Sequence, residues 1–116
     1  MNNVVIYHNP RCSKSRQTLE LLHSKNIEPE VIEYLNTPPD SMQLKRIVEM
    51  LEISPRDLMR KKETLYKEHA LDNPELTEEQ LLDAMQQNPI LIERPIVLAN
   101  GKAAIGRPPE NVLEII

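Results

Sequence analysis

Phenylalanine and tryptophan are absent from this 116-residue chain, and tyrosine occurs three times. A core must therefore be assembled from Ile, Leu, Val, Met and Ala. Glycine occurs twice, at Gly101 and Gly106, so neither a P-loop nor a dinucleotide-binding fingerprint can be written. A single cysteine, Cys12, excludes an internal disulfide, a cysteine-rich zinc site and an iron–sulfur cluster held by this chain alone. No metal site is expected. The net charge of −4 provides no global basic field, so no nucleic-acid partner is expected. Apolar runs are only a few residues long, too short for a membrane span. No charged segment precedes a long apolar one, which argues against a signal peptide. A lone thiol without an export signal points to the reducing cytoplasm.

What is present is the composition of an ordinary globular domain, 40% hydrophobic and 28% charged. The length suits one domain, 1–116. Charge is uneven: residues 1–62 carry a net +2 and residues 63–116 a net −6. Most of the acid of residues 63–116 falls between Glu63 and Asp83 and reads as a solvated helical face. An anion site must then be built locally, from selected arginines against an acidic background.

Periodicity gives the order of elements. Val4 to Tyr7 reads as a buried strand, stopped by Pro10. Cys12 to about Lys25 turns helical, with Leu19, Leu21 and Leu22 as its core side and Asn26 as its end. Val31 to Leu35 alternates as a second strand, completing a βαβ unit that should be parallel. After Thr37-Pro38-Pro39-Asp40, a helix is expected over Ser41–Leu51, and another from Ser54-Pro55. Thr77-Glu78-Glu79-Gln80 has capping-box spacing and opens a helix to about Gln87. Ile96–Ala99 and Lys102–Ile105 flank Asn100-Gly101, a strong hairpin signal, and Glu110–Ile116 closes with a short helix. The expected fold is α/β: a thioredoxin/glutaredoxin-like four-stranded mixed sheet (βαβ…ββα) with a central helical insertion at about 41–88.

Cys12 stands where a helix begins, among Arg11, Lys14 and Arg16. The thiolate is the nucleophilic form, and a helix N-terminus with neighbouring cations lowers a cysteine pKa. Arg16, one helical turn on, can lie beside the sulfur. A core hydrophobe would sit among apolar neighbours, and these are nearly all polar or basic. Ser15 occupies the place of a resolving cysteine in a dithiol oxidoreductase. With Cys-x-x-Ser, no second thiol in the chain can resolve a mixed disulfide or adduct, so an external thiol is required. His8 either supports the thiolate or caps the strand–helix turn. His23 and His69 lack metal-ligand spacing and read as surface residues. Arg60 ends a short apolar segment. Arg94 and Arg107 flank the hairpin, so both can point to the end of the sheet that holds Cys12. Guanidinium forks suit tetrahedral oxyanions; surface ion pairing to the abundant acids is the alternative reading. Arg94-Pro95 is an X-Pro bond whose isomer periodicity does not decide.

Taken in order, Tyr7-His8-Asn9-Pro10-x-Cys12-x-x-Ser15-Arg16, Tyr34-Leu35-x-Thr37-Pro38-Pro39, Leu58-x-Arg60-Lys61, Asn88-Pro89-Ile90-Leu91-Ile92-x-Arg94-Pro95-Ile96-Val97 and Arg107-Pro108 resemble the glutaredoxin-coupled arsenate reductases across essentially the whole chain. The resemblance implies that Cys12 attacks the arsenic of arsenate and that Arg60, Arg94 and Arg107 hold the oxyanion. It implies that His8 favours the thiolate and that Pro95 is a cis-proline facing the cysteine. It further implies glutathione as co-substrate, glutaredoxin as the next reductant, and no bound cofactor. The turn before the last arginine, Gly106-Arg107 here, varies within the family. A sister branch of the fold uses a Cys-x-x-Cys switch and binds RNA polymerase; Ser15 argues against that switch. Two other functions stay open: a non-catalytic thioredoxin-like adaptor or transcription-associated binding module, and a monothiol glutaredoxin acting on glutathione mixed disulfides.

Overall fold

A computed structural model describes residues 3–116; Met1 and Asn2, the first positions of the expected domain, lie outside the described residues. The chain forms two units. One runs up to Thr37 and resumes over Arg94–Ile116, and the other is Pro38–Glu93. The α-helices of the second unit run from Ser41 to Gln87.

The first unit carries the sheet. Strands β1 (Val5–His8), β2 (Glu30–Glu33), β3 (Ile96–Ala99) and β4 (Lys102–Ile105) lie in the order β2-β1-β3-β4. β1 pairs with β2 in parallel and with β3 antiparallel, and β3 pairs with β4 antiparallel. This is the thioredoxin-like layout. The inner strands β1 and β3 are the apolar ones, as burial by neighbours on both sides requires. Edge strand β2 is mostly exposed and ends in glutamate, which blunts the edge against further pairing. Asn100 and Gly101 both take positive φ, 54° and 73°, which suits the tight turn joining β3 to β4. The core of this unit is Val4, Ile6, Leu22, Val97, Ala99, Val112 and Ile115, all aliphatic, as the missing Phe and Trp demand.

Helix α1 (Ser13–Ser24) joins β1 to β2 and begins within a residue of the expected position, with Cys12 as its N-cap. Its core side differs from expectation. The buried stripe is Ser15, Thr18 and Leu22, while Leu19 and Leu21 are only partly buried. Two hydroxyls replace leucines there because both are satisfied: Ser15 bonds the loop after β1, and Thr18 donates to the Lys14 carbonyl at 2.8 Å. The second strand is Glu30–Glu33 rather than Val31–Leu35, because the amides of Asn36 and Thr37 turn back onto the Glu33 carbonyl. The expected closing helix is a 3₁₀ segment, Pro109–Glu114.

The second unit is helical: α2 (Ser41–Leu51), α3 (Thr64–Glu68) and α4 (Glu78–Gln87), with 3₁₀ turns at Pro55–Leu58 and Pro89–Leu91. Both α2 and α4 open with complete capping boxes, Asp40 with Gln43 and Thr77 with Gln80. α2 packs against α4; the buried residues are Leu44, Ile47 and Val48 on α2 and Leu81, Leu82 and Met85 on α4. Met42, expected among the apolar positions, is 79% exposed. The helix expected from Ser54 closes after one 3₁₀ turn, because Met59 becomes extended to bridge Ile92. No helix among the described residues is long and apolar enough to cross a membrane.

Candidate active site

The end of the sheet where β1 stops gathers four pieces of chain. Because β2 runs parallel to β1, Glu33 ends at that edge. Because β3 runs antiparallel to β1 and β4 antiparallel to β3, Arg94 enters and Arg107 leaves at the same edge. The loop Asn9–Cys12 lies between them.

That loop is held by its own polar groups. The Cys12 amide donates to the Asn9 carbonyl at 3.0 Å, and the Arg11 amide donates to Asn9 Oδ1 at 3.0 Å. The Asn9 amide in turn donates to Ser15 Oγ at 3.0 Å. Ser15 Oγ also lies 2.6 Å from His8 Nδ1, and both side chains are buried. Burial lowers the His8 pKa, Glu33 raises it and Arg16 lowers it, and the outcome is a value below that of an ordinary imidazole. His8 Nδ1 and the Ser15 hydroxyl thus share one short hydrogen bond. Ser15 therefore acts as a knot between helix α1 and the loop, and His8 bonds that knot rather than the sulfur.

Cys12 is 8% exposed. Burial would raise its pKa, but the Ser15 amide, the Arg94 charge, the Lys14 amide and the Arg107 charge outweigh burial and hold it below the ordinary thiol value. The sulfur makes no formed capping hydrogen bond; the first-turn N–H groups act on its charge. Arg107 places Nη1 3.9 Å from Cys12 Sγ. The same Nη1 donates to the Arg94 carbonyl at 3.2 Å, so the two arginine segments are tied together beside the sulfur. Lys14 contributes through its backbone. Arg16, expected beside the sulfur, instead donates from Nη1 to the Pro10 carbonyl at 2.9 Å, because the loop carbonyl lies over the first helical turn. Arg60 belongs to the helical unit, where its amide donates to the Leu91 carbonyl at 2.7 Å and its guanidinium pairs with Glu63.

Pro95 follows a cis bond, and so does Pro108. Pro95 packs beneath the hairpin end: its carbonyl accepts the Gly106 amide at 2.9 Å. Gly106 is also pressed against Thr18, whose Oγ1 lies 3.5 Å from the Gly106 carbonyl. A methyl group at Gly106 would overlap Thr18 Oγ1 and come within 2.9 Å of Pro95 Cγ. Glycine is thus needed for close approach, and that approach seats Arg107. Sequence reasoning gave no role to Thr18 or Asn9. The available signal was the spacing of Thr18 from Ser15 and Leu22, which places all three on one helical stripe.

The assembled arrangement is an ionisable sulfur at a helix N-terminus with two guanidinium groups acting on its charge. It can present a thiolate to an anionic electrophile that the arginines hold. Among the described residues no cluster of His, Cys, Asp and Glu could hold a metal ion.

The chain is similar to several known proteins. YfgD of Escherichia coli strain K12, an uncharacterised protein, is 60% identical over 97% of this chain and 96% of its own length. An arsenate reductase of Neisseria meningitidis (strain Z2491) is 54% identical over the full length of both chains. The solved structure of an arsenate reductase from Vibrio cholerae superposes with a TM-score of 0.96 at 54% identity, covering 98% of each chain. The model of the ArsC family matches residues 7–115, from the end of β1 to the last turn of the chain, and the protein belongs to that family.

Proposed function

We propose that the protein is an arsenate reductase that uses Cys12 as its single nucleophile, with glutathione and glutaredoxin as external thiol donors. The observation that carries this reading is the 3.9 Å approach of Arg107 Nη1 to Cys12 Sγ, with Arg94 also favouring the thiolate. An isolated thiolate in an acidic protein repels arsenate; a thiolate between guanidinium groups faces an anion that the same groups attract.

The chemistry follows from the residues. The Cys12 thiolate attacks arsenic(V); an As–O bond breaks, and that oxygen leaves as water with a proton from solvent. Glutathione then attacks the arsenic of the adduct, a second As–O bond breaks and that oxygen leaves as water. A glutaredoxin thiolate attacks the glutathione sulfur, its As–S bond breaks with the electron pair passing to arsenic, and water releases arsenite from Cys12. Overall two thiols are oxidised to one disulfide while arsenic(V) becomes arsenic(III) and arsenite departs. Both electrons come from thiols, so no resident cofactor is required. Ser15 replaces a resolving cysteine, which is why the second thiol comes from outside the chain. Arg94 and Arg107 hold the oxyanion, and Arg60 is proposed as the third arginine on the family resemblance. His8, Ser15 and Arg16 fix the loop, and Pro95 supports the hairpin end. A reducing compartment, the cytoplasm, suits this chemistry.

Arsenate-dependent NADPH oxidation tests the reading, with glutathione, glutaredoxin and glutathione reductase supplied. Turnover in the natural protein and its loss in Cys12→Ser are expected. Absent turnover with a normally titrating thiol would favour the adaptor function instead. Activity independent of arsenate would favour a monothiol glutaredoxin.

A further inference from the structure

On the β2 flank of the cysteine loop lies a cleft of about 390 Å³, lined by His8, Asn9, Pro10, Arg11, Glu33, Leu35 and Asn36. Its size is that of a small-molecule site. The strand order puts it on the side of Cys12 away from the hairpin that carries Arg94 and Arg107. Its wall includes Arg11, one residue from Cys12 and so about 3.8 Å away along the backbone. The lining holds opposite charges, Arg11 and Glu33, and among the described residues neither is closed into an ion pair. A ligand carrying both an ammonium and a carboxylate would satisfy both. Asn9 and Asn36 add amide groups for a peptide backbone, and Leu35 gives one apolar wall.

We infer that this cleft docks the external thiol as a small zwitterionic peptide, its ammonium toward Glu33, its carboxylate toward Arg11 and its sulfur toward Cys12. The inference rests on the reductase reading and adds the location of the co-substrate. It brings the two substrates in from different flanks of the cysteine loop: the oxyanion from the hairpin, the thiol from β2, both meeting at the Cys12 adduct.

The test titrates S-methylglutathione, which cannot exchange with Cys12, into the full-length reduced protein while backbone amide shifts are followed. Saturable shifts centred on Asn9, Arg11, Glu33 and Asn36 are expected. Each of Arg11→Gln and Glu33→Gln should weaken binding about tenfold, the loss of one charge-assisted contact. Both residues are exposed, so the variants should retain the native spectrum elsewhere. Glu33 also acts on His8, so the titration is run above neutral pH, where the imidazole is uncharged with or without Glu33. S-methylcysteine, a zwitterion of one residue, should bind more weakly than the peptide. The docking site is overturned by shifts centred elsewhere, by charge variants that bind like the natural protein, or by S-methylcysteine binding equally well. Loss of docking with arsenate turnover intact would sink the cleft and spare the reductase reading. Docking without arsenate turnover would spare the cleft and sink the reductase.

Discussion

Replacing Gly106 with alanine should loosen the hairpin end and detune Cys12 together. The added methyl would overlap Thr18 Oγ1, lie 2.9 Å from Pro95 Cγ and 3.1 Å from Thr18 Cγ2. Thr18 is fully buried and held by its bond to the Lys14 carbonyl, and Pro95 is a rigid ring, so neither gives way easily. Overpacking of this kind costs about 1–3 kcal/mol. Alanine also restricts the unfolded chain, which offsets about 0.4–1 kcal/mol. The net expectation is roughly 1–2 kcal/mol of lost stability, read from urea unfolding. The same displacement moves Arg107 from the sulfur, so the pH midpoint of Cys12 alkylation should rise. Thr18→Ala removes both Thr18 atoms that the methyl would meet. The double variant should therefore be more stable than the two single losses predict, by about 0.5 kcal/mol or more. A Gly106→Ala protein as stable as the natural one, or strict additivity with Thr18→Ala, would refute the close-approach reasoning.

The Cys12 pKa is depressed, so alkylation should be fully active above that value and decline as pH falls through it, with a midpoint below that of an ordinary thiol measured in a short peptide. Arg107→Gln should move that midpoint upward and, on the proposed reaction, lower kcat/KM by roughly a hundredfold. Ser15→Ala should cost about 1–3 kcal/mol in chemical denaturation, because it leaves the Asn9 amide and His8 Nδ1 without their shared partner. Thr77→Ala should remove the α4 cap at a cost of about 1 kcal/mol by the same assay, with Cys12 reactivity unchanged.

Much of the fold is legible where one local signal suffices. Val4–Tyr7 and Ile96–Ala99 are short apolar runs that only inner strands accommodate, and Asn100-Gly101 names its own turn. Thr77 with Gln80 announces a helix start that the capping box then forms. What resists reading depends on distant partners. Nothing near Ser54 says that Met59 will be drawn into a bridge with Ile92, which ends the expected helix after one 3₁₀ turn. Thr18 and Ser15 look like surface polar residues until the loop and the hairpin arrive to cover them. The proposed nucleophile is legible because cations cluster around Cys12 in sequence. The partners of those cations are not: Arg16, one turn away, bonds a loop carbonyl, while Arg107, 95 positions along, reaches the sulfur. Chain topology, which turns Arg94 and Arg107 back to the end of β1, explains the difference.

Protection of Cys12 from iodoacetamide by a tetrahedral oxyanion puts the central claim to its sharpest test. Phosphate, which thiols do not reduce, is added at constant ionic strength while the alkylation rate is followed. Saturable protection is predicted for the natural protein, with weaker protection in Arg94→Gln and Arg107→Gln. Protection no better than that given by chloride, or unchanged by either substitution, would contradict an arginine-built oxyanion site at the sulfur.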